Sequence, residues 1–179
     1  MDHVQRQIVT SKSNPDGWVA SAEVLQVAAN FTPAPVGWTV MHVDGSFNRR
    51  AAAMSCEGRL QNHEGARIVG FASFEGIGEV FLAELIAVIK GLKLAWQKGV
   101  RKLLCYFDCM EVVEMLSENR SHNLYSHAAY LSEAKNLLHQ EWEVSLHHKP
   151  REQKLSADAL ARMGMRLRLD FSMWLTPPP

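Results

Sequence analysis

Four acidic residues stand where elements of this chain begin or end: Asp44, Glu84, Asp108 and Asp158. Asp44 closes the apolar run Trp38-Thr39-Val40-Met41-His42-Val43 and is followed by Gly45-Ser46. Asp108 closes Lys102-Leu103-Leu104-Cys105-Tyr106-Phe107, and Asp158 falls in the first turn of a short helical pattern opened by Ser156. Glu84 sits about one turn into a long helical pattern, among Ala83, Leu85, Ile86 and Ala87. Brought together, such carboxylates repel: at about 4 Å and an effective dielectric of about 20, each pair costs about 4 kcal/mol. A cluster therefore persists only if protonated or holding cations. All-oxygen ligands select hard divalent ions, Mg²⁺ first and Mn²⁺ second. Two such ions roughly 3.5–4 Å apart can activate a water and stabilise the leaving oxygen of a phosphodiester.

Each acid also has an ordinary reading. Asp44-Gly45 is a common turn dipeptide. Asp108 with Glu111 resembles a capping box, Asp158 suits a helix dipole, and Glu84 could be a solvated helix residue. The case for chemistry rests on all four occupying site-competent positions at once.

The elements that must position them follow from period. Trp38 to Val43 is apolar and β-branched on both faces, as a central strand requires. Strands over 51–60 and 66–73, joined by the loop Gln61 to Gly65, make an antiparallel meander with the first. Apolar residues at 82, 85, 86, 89, 92, 95 and 96 predict a helix over 80–98, stopped at Gly99. A buried strand over 100–107, helices over 110–118 and 125–140, a strand over 142–147 and a helix over 156–163 complete the order βββ-α-β-αα-β-α. Strands separated by helices run parallel. The expectation is an α/β fold with a mixed five-stranded sheet and helices on both faces, its carboxyl-end rim carrying Asp44 and Asp108. Residues 1–36 read as a poorly ordered extension or linker, 37–164 as the domain and 165–179 as a tail without a packing signal.

Composition excludes several classes. The 179 residues carry 19 basic and 19 acidic side chains, so no strongly basic nucleic-acid binder is indicated. Cys56, Cys105 and Cys109 form no C-x-x-C pair, and their odd number points to free thiols in a reducing compartment. No run approaches the roughly 20 apolar residues of a membrane span, and the first residues lack a secretory apolar region. The expectation is an intracellular protein, in nucleus or cytoplasm.

Asp44-Gly45-Ser46, Ala83-Glu84-Leu85, Phe107-Asp108 and Ala157-Asp158-Ala159-Leu160-Ala161 resemble, in order, the four signature blocks of type 1 ribonuclease H. Gly37-Trp38, Gly91-Leu92-Lys93-Leu94-Ala95-Trp96 and Pro150-Arg151-Glu152 resemble more closely the plant ribonuclease H-like domains that stand alone or follow retroelement reverse transcriptases. The resemblance covers about residues 37–164. It implies an endonuclease that cuts the RNA strand of RNA–DNA hybrids, leaving 5′-phosphate and 3′-hydroxyl ends, with Asp44, Glu84, Asp108 and Asp158 as ligands of two Mg²⁺ ions and Mn²⁺ as substitute. His148 takes the place of the family's mobile histidine. The hybrid is the implied partner, with no small-molecule cofactor, and the chain would act as a monomer or as part of a polyprotein.

Three features depart from that pattern. Lys154 replaces the usual asparagine, where its ammonium would pair with an acid, compete with a metal or contact phosphate. Glu57 and Arg59 replace residues expected to pack tightly, which would loosen the second strand. The spacing from Asp108 to Asp158 leaves no room for an added basic helix, so hybrid affinity should be modest and salt-sensitive. These departures keep open a second reading, a catalytically weak module that binds nucleic acid or a partner protein. A 3′–5′ exonuclease or integrase relative fits the order of acids poorly.

Overall fold

The computed structural model describes residues 34–117, 126–149, 168 and 170–175, with the backbone of two strands at Arg6–Thr10 and Leu25–Gln26. The helix expected over 156–163, with Asp158 and Lys154, lies outside the described residues.

Each of the five expected strands forms. β3 (Thr39–Asn48), β4 (Ala53–Gln61) and β5 (Arg67–Ile77) build the antiparallel meander. β6 (Lys102–Phe107) runs parallel to β3, and β7 (Glu143–His148) runs parallel to β6. The strand count nevertheless needs correction from five to eight among the described residues. The additions are β1 (Arg6–Thr10), β2 (Leu25–Gln26) and β8 (Ser172–Trp174), giving the order β2-β1-β7-β6-β3-β4-β5-β8. β1 pairs antiparallel with β7, and β8 pairs antiparallel with β5. These are short strands added outside the central five, with β2 and β8 at the edges, and pairing to a preformed edge needs no apolar run of their own. Two come from the stretch read as an extension and one from the tail.

Among the described residues three helices touch one another and share one face of this sheet, where helices on both faces were expected: α1 (Val80–Gln97), α2 (Met110–Ser117) and α3 (Ala128–Leu138). The core between them contains Met41, Val43, Leu85, Leu92, Leu103, Phe107, Val113, Leu131 and Leu146. α1 ends as expected, with Gly99 at φ 76° and the Lys98 and Gly99 amides bonded back to Leu94 and Trp96. No helix among the described residues is long and apolar enough to cross a membrane.

α1 is held tightly against the sheet at one side by a polar cluster. Lys90 Nζ donates to Ser73 Oγ at 2.8 Å and to Glu75 Oε1 at 2.5 Å, and the Cys56 thiol donates to the same carboxylate at 3.3 Å. Burial and the Glu75 charge push that thiol well above its ordinary range, so Cys56 behaves as a buried neutral group. β4 pairs on both edges from Ala53 to Gln61 despite Glu57 and Arg59, with register shifts after Met54 and Leu60.

Helix and central strand approach most closely at two glycines. A methyl group on Gly45 would lie 2.3 Å from the Glu84 amide nitrogen and 2.4 Å from the Ala83 carbonyl carbon. One on Gly91 would meet the Met41 sulfur at 2.6 Å and a Val43 methyl at 2.8 Å. The first obstacle is backbone and cannot yield; the second is side chain and can. Gly45→Ala should lower unfolding free energy by about 3 kcal/mol. Gly91→Ala should cost less than about 1 kcal/mol, because helix propensity offsets the crowding. Urea denaturation of the two variants measures the difference.

Candidate metal centre

β3 and β6 pair in parallel from Thr39 opposite Leu103 to His42 opposite Tyr106, and there the pairing stops. β3 continues with β4 as its partner as far as Asn48 opposite Ala53, while β6 stays with β7 through Phe107 opposite His148. The sheet therefore forks. Two steps beyond the last shared pair, one prong carries Asp44 and the other leads to Asp108.

Glu84 enters this fork from α1. Because Gly45 has no side chain, the helix backbone lies against β3, and the Gly45 amide donates to Glu84 Oε2 at 3.1 Å. One carboxylate oxygen each from Asp44, Glu84 and Asp108 lie within 4.8 Å of one another. Asp44 is 3% exposed and Glu84 4%, so neither is a solvated surface acid. Asp108 is half-buried, and α2 begins only at Met110, so Asp108 stands outside the helix it was read as capping.

At this separation each like-charged pair costs about 3–4 kcal/mol at an effective dielectric of about 20. A cation relieves that cost, and three carboxylate oxygens suit a hard divalent ion. The nearby sulfur does not compete: burial, with the Glu84 and Glu111 charges, raises the Cys109 thiol against the opposing pull of the Val112 and Glu111 amides.

His148 Nε2 donates to the Asp108 carbonyl oxygen at 3.1 Å, which puts this imidazole beside the fork. Its neighbour His147 occupies the other face of β7, stacked on Tyr106 and bonded to the Ser145 hydroxyl at 2.9 Å. Asp158 and Lys154 lie outside the described residues, so three of the four expected acids are seen to converge.

Sequence reasoning treated Glu57 only as a packing irregularity. It pairs directly across from Asp44 and is 1% exposed, so it adds a buried carboxyl group on the same face as Asp44. Counting inward from the Asn48–Ala52 turn would have matched Asp44 to Glu57. Arg59, two pairs further along on the same face, is lowered by burial and by the neighbouring Arg67, and the Glu57 charge opposes that shift.

Residues 42–164 match the family described as "Reverse transcriptase-like". The chain belongs to that family. Its ribonuclease H-like domain is 30% identical over 138 residues to an Arabidopsis thaliana protein named "Putative ribonuclease H protein"; the match covers 76% of this chain and 22% of that relative. This reverse transcriptase-like chain thus spans about a fifth of that curated relative's length. In fold it is similar to RNase H1 of the halophilic archaeon Halobacterium salinarum NRC-1 (TM-score 0.66, 22% identity, 73% of this chain and 98% of that one). It is also similar to LC11-RNase H1, solved in complex with an RNA/DNA hybrid (TM-score 0.62, 14% identity, 70% and 94% covered).

Burial pushes the His147 imidazole down to about 4, whereas an unfolded histidine titrates near 6.5. The folded state holds His147 neutral, so its contribution is complete above about pH 6.5 and is lost as pH falls towards 4, by about 3 kcal/mol at most. His147→Phe, which keeps a ring on Tyr106, should flatten the fall in unfolding free energy between pH 6.5 and 4.5. An unchanged slope would show that other groups carry the acid sensitivity.

Proposed function

We propose that this domain is a metal-dependent endonuclease that hydrolyses the RNA strand of RNA–DNA hybrids, leaving 5′-phosphate and 3′-hydroxyl ends. The observation that carries the reading is the convergence of Asp44, Glu84 and Asp108 at the fork, two of them buried. The fold shared with a hybrid-bound RNase H1 supports the choice of substrate.

Asp44, Glu84 and Asp108, with Asp158 as the fourth acid, would hold two Mg²⁺ ions, Mn²⁺ substituting. At such a site bound cations supply activation of a water and stabilisation of the departing 3′ oxygen. The chain's own residues set the geometry. The Gly45 amide orients the Glu84 carboxylate. Asp44 on β3 and Asp108 just past the end of β6 flank the point where the two strands diverge, a gap where a phosphate can enter. His148, beside the Asp108 carbonyl, is placed to carry a proton or ease product departure. Recognition uses 2′-hydroxyl and phosphate contacts, so sequence preference is low. Balanced charge makes binding modest and sensitive to salt. The setting we infer is a plant retroelement-derived nuclease, acting alone or within a longer polyprotein.

Buried Glu57 opposite Asp44 and the replacement at Lys154 favour one alternative, a ribonuclease H-like module that binds nucleic acid or a protein with little catalysis. Cleavage of a labelled RNA–DNA hybrid, with double-stranded DNA as control, separates the two. The nuclease reading expects hybrid-specific cutting with Mg²⁺ or Mn²⁺, and a loss of about 100-fold or more in Asp44→Asn and in Asp108→Asn. A folded wild type inert with both metals would support the binding module, and restoration by Lys154→Asn would identify the lysine as the lesion.

A further inference from the structure

The face of the sheet turned away from α1 carries a row of three rings directly below the fork. His42 of β3 stacks on Tyr106 of β6 with centroids 5.3 Å apart and planes at 20°. Tyr106 stacks in turn on His147 of β7 at 4.7 Å and 30°. These spacings match the distance between adjacent strands, so each ring covers the next along the hydrogen-bonding direction. Ser145 fixes the outer rung through its hydroxyl at 2.9 Å from His147 Nε2, and the Lys149 ammonium lies over the Tyr106 ring at 5.6 Å.

The position of this row gives it a task. His42 opposite Tyr106 is the last pair that joins β3 to β6. Beyond it no ladder bond between these strands restrains them, and the next residues on the same prongs and face are Asp44 and Asp108. A small rotation at the last pair therefore changes the separation of the two carboxylates. Glu84 cannot compensate, because its carboxylate is tied to the Gly45 amide.

We propose that the His42–Tyr106–His147 stack is a positioning ladder that sets the spacing of Asp44 and Asp108 and hence the affinity of the site for divalent cations. The proposal rests on the metal-site reading and names Tyr106 as a positioning residue, the rung in contact with both neighbours. Removing its ring severs both contacts at once. Removing only its hydroxyl leaves them in place.

Mn²⁺ binding to the full chain, followed by calorimetry or by the electron paramagnetic resonance of free Mn²⁺, tests this without reference to catalysis. Tyr106→Val should weaken Mn²⁺ binding by about tenfold or more, the usual effect of losing a group that orients a ligand, whereas Tyr106→Phe should stay within about twofold of wild type. Leu104→Ala, on the same strand and face but further from the fork, should lower the melting temperature and leave Mn²⁺ affinity unchanged. Should Tyr106→Val fail to fold, His42→Leu removes the rung between β3 and β6 and should weaken binding in the same direction. Wild-type affinity in a folded Tyr106→Val or His42→Leu variant would overturn the ladder, as would an equal loss in Leu104→Ala. Those results leave the metal site standing, whereas a wild type that binds no Mn²⁺ overturns both.

Discussion

The structure is arranged around mutual repulsion among Asp44, Glu84 and Asp108, whose oxygens lie within 4.8 Å of one another in a largely buried fork. Left alone, three such charges would push strand, helix and strand apart. What opposes them is close packing together with hydrogen bonds and one ion pair. Gly45 lets the α1 backbone touch β3, and its amide fixes Glu84. Gly91 allows a second close approach against Met41 and Val43. The bonds from Lys90 to Ser73 and Glu75 tie the same helix to β5. A core of buried Leu, Val and Phe side chains from both layers supplies the cohesion these contacts direct. The carboxylates are thus held where they would not choose to sit, which is the condition under which a site gains affinity for a cation.

Much of this was legible before any coordinates. The central strand announced itself because a strand buried on both faces must be continuously apolar, and Trp38 to Val43 is. α1 was readable from its stripe, and Gly99 from its place after Lys98. Glu84 was ambiguous because helical period marks a face but not what covers it; only the missing side chain of Gly45 turns that position into an interior one. The peripheral strands β1, β2 and β8 left no signal, since pairing to an existing edge draws on backbone groups that every residue carries. Glu57 was misjudged for a related reason. Its role depends on register across a hairpin, and register follows from turn geometry and bulges rather than from residue type.

The surroundings of the fork are more charged than packing alone requires. Glu57 is buried opposite Asp44, Arg59 follows on the same face, and Arg67 is close enough to perturb it. The same face carries the ring stack, so aromatic contacts hold the strands where electrostatics would part them. One side of the sheet supplies cohesion through helices, and the other supplies control of spacing.

The central claim, that folding holds these acids together against their repulsion for the sake of a divalent cation, is tested most directly by thermal denaturation with chelator and with Mg²⁺. In chelator, Asp44→Asn should melt above the wild type, because one of three like charges has been removed. Mg²⁺ should raise the wild-type melting temperature and move the variant much less. A wild type indifferent to Mg²⁺, or a variant that melts lower in chelator and gains as much from Mg²⁺ as the wild type, would contradict the account.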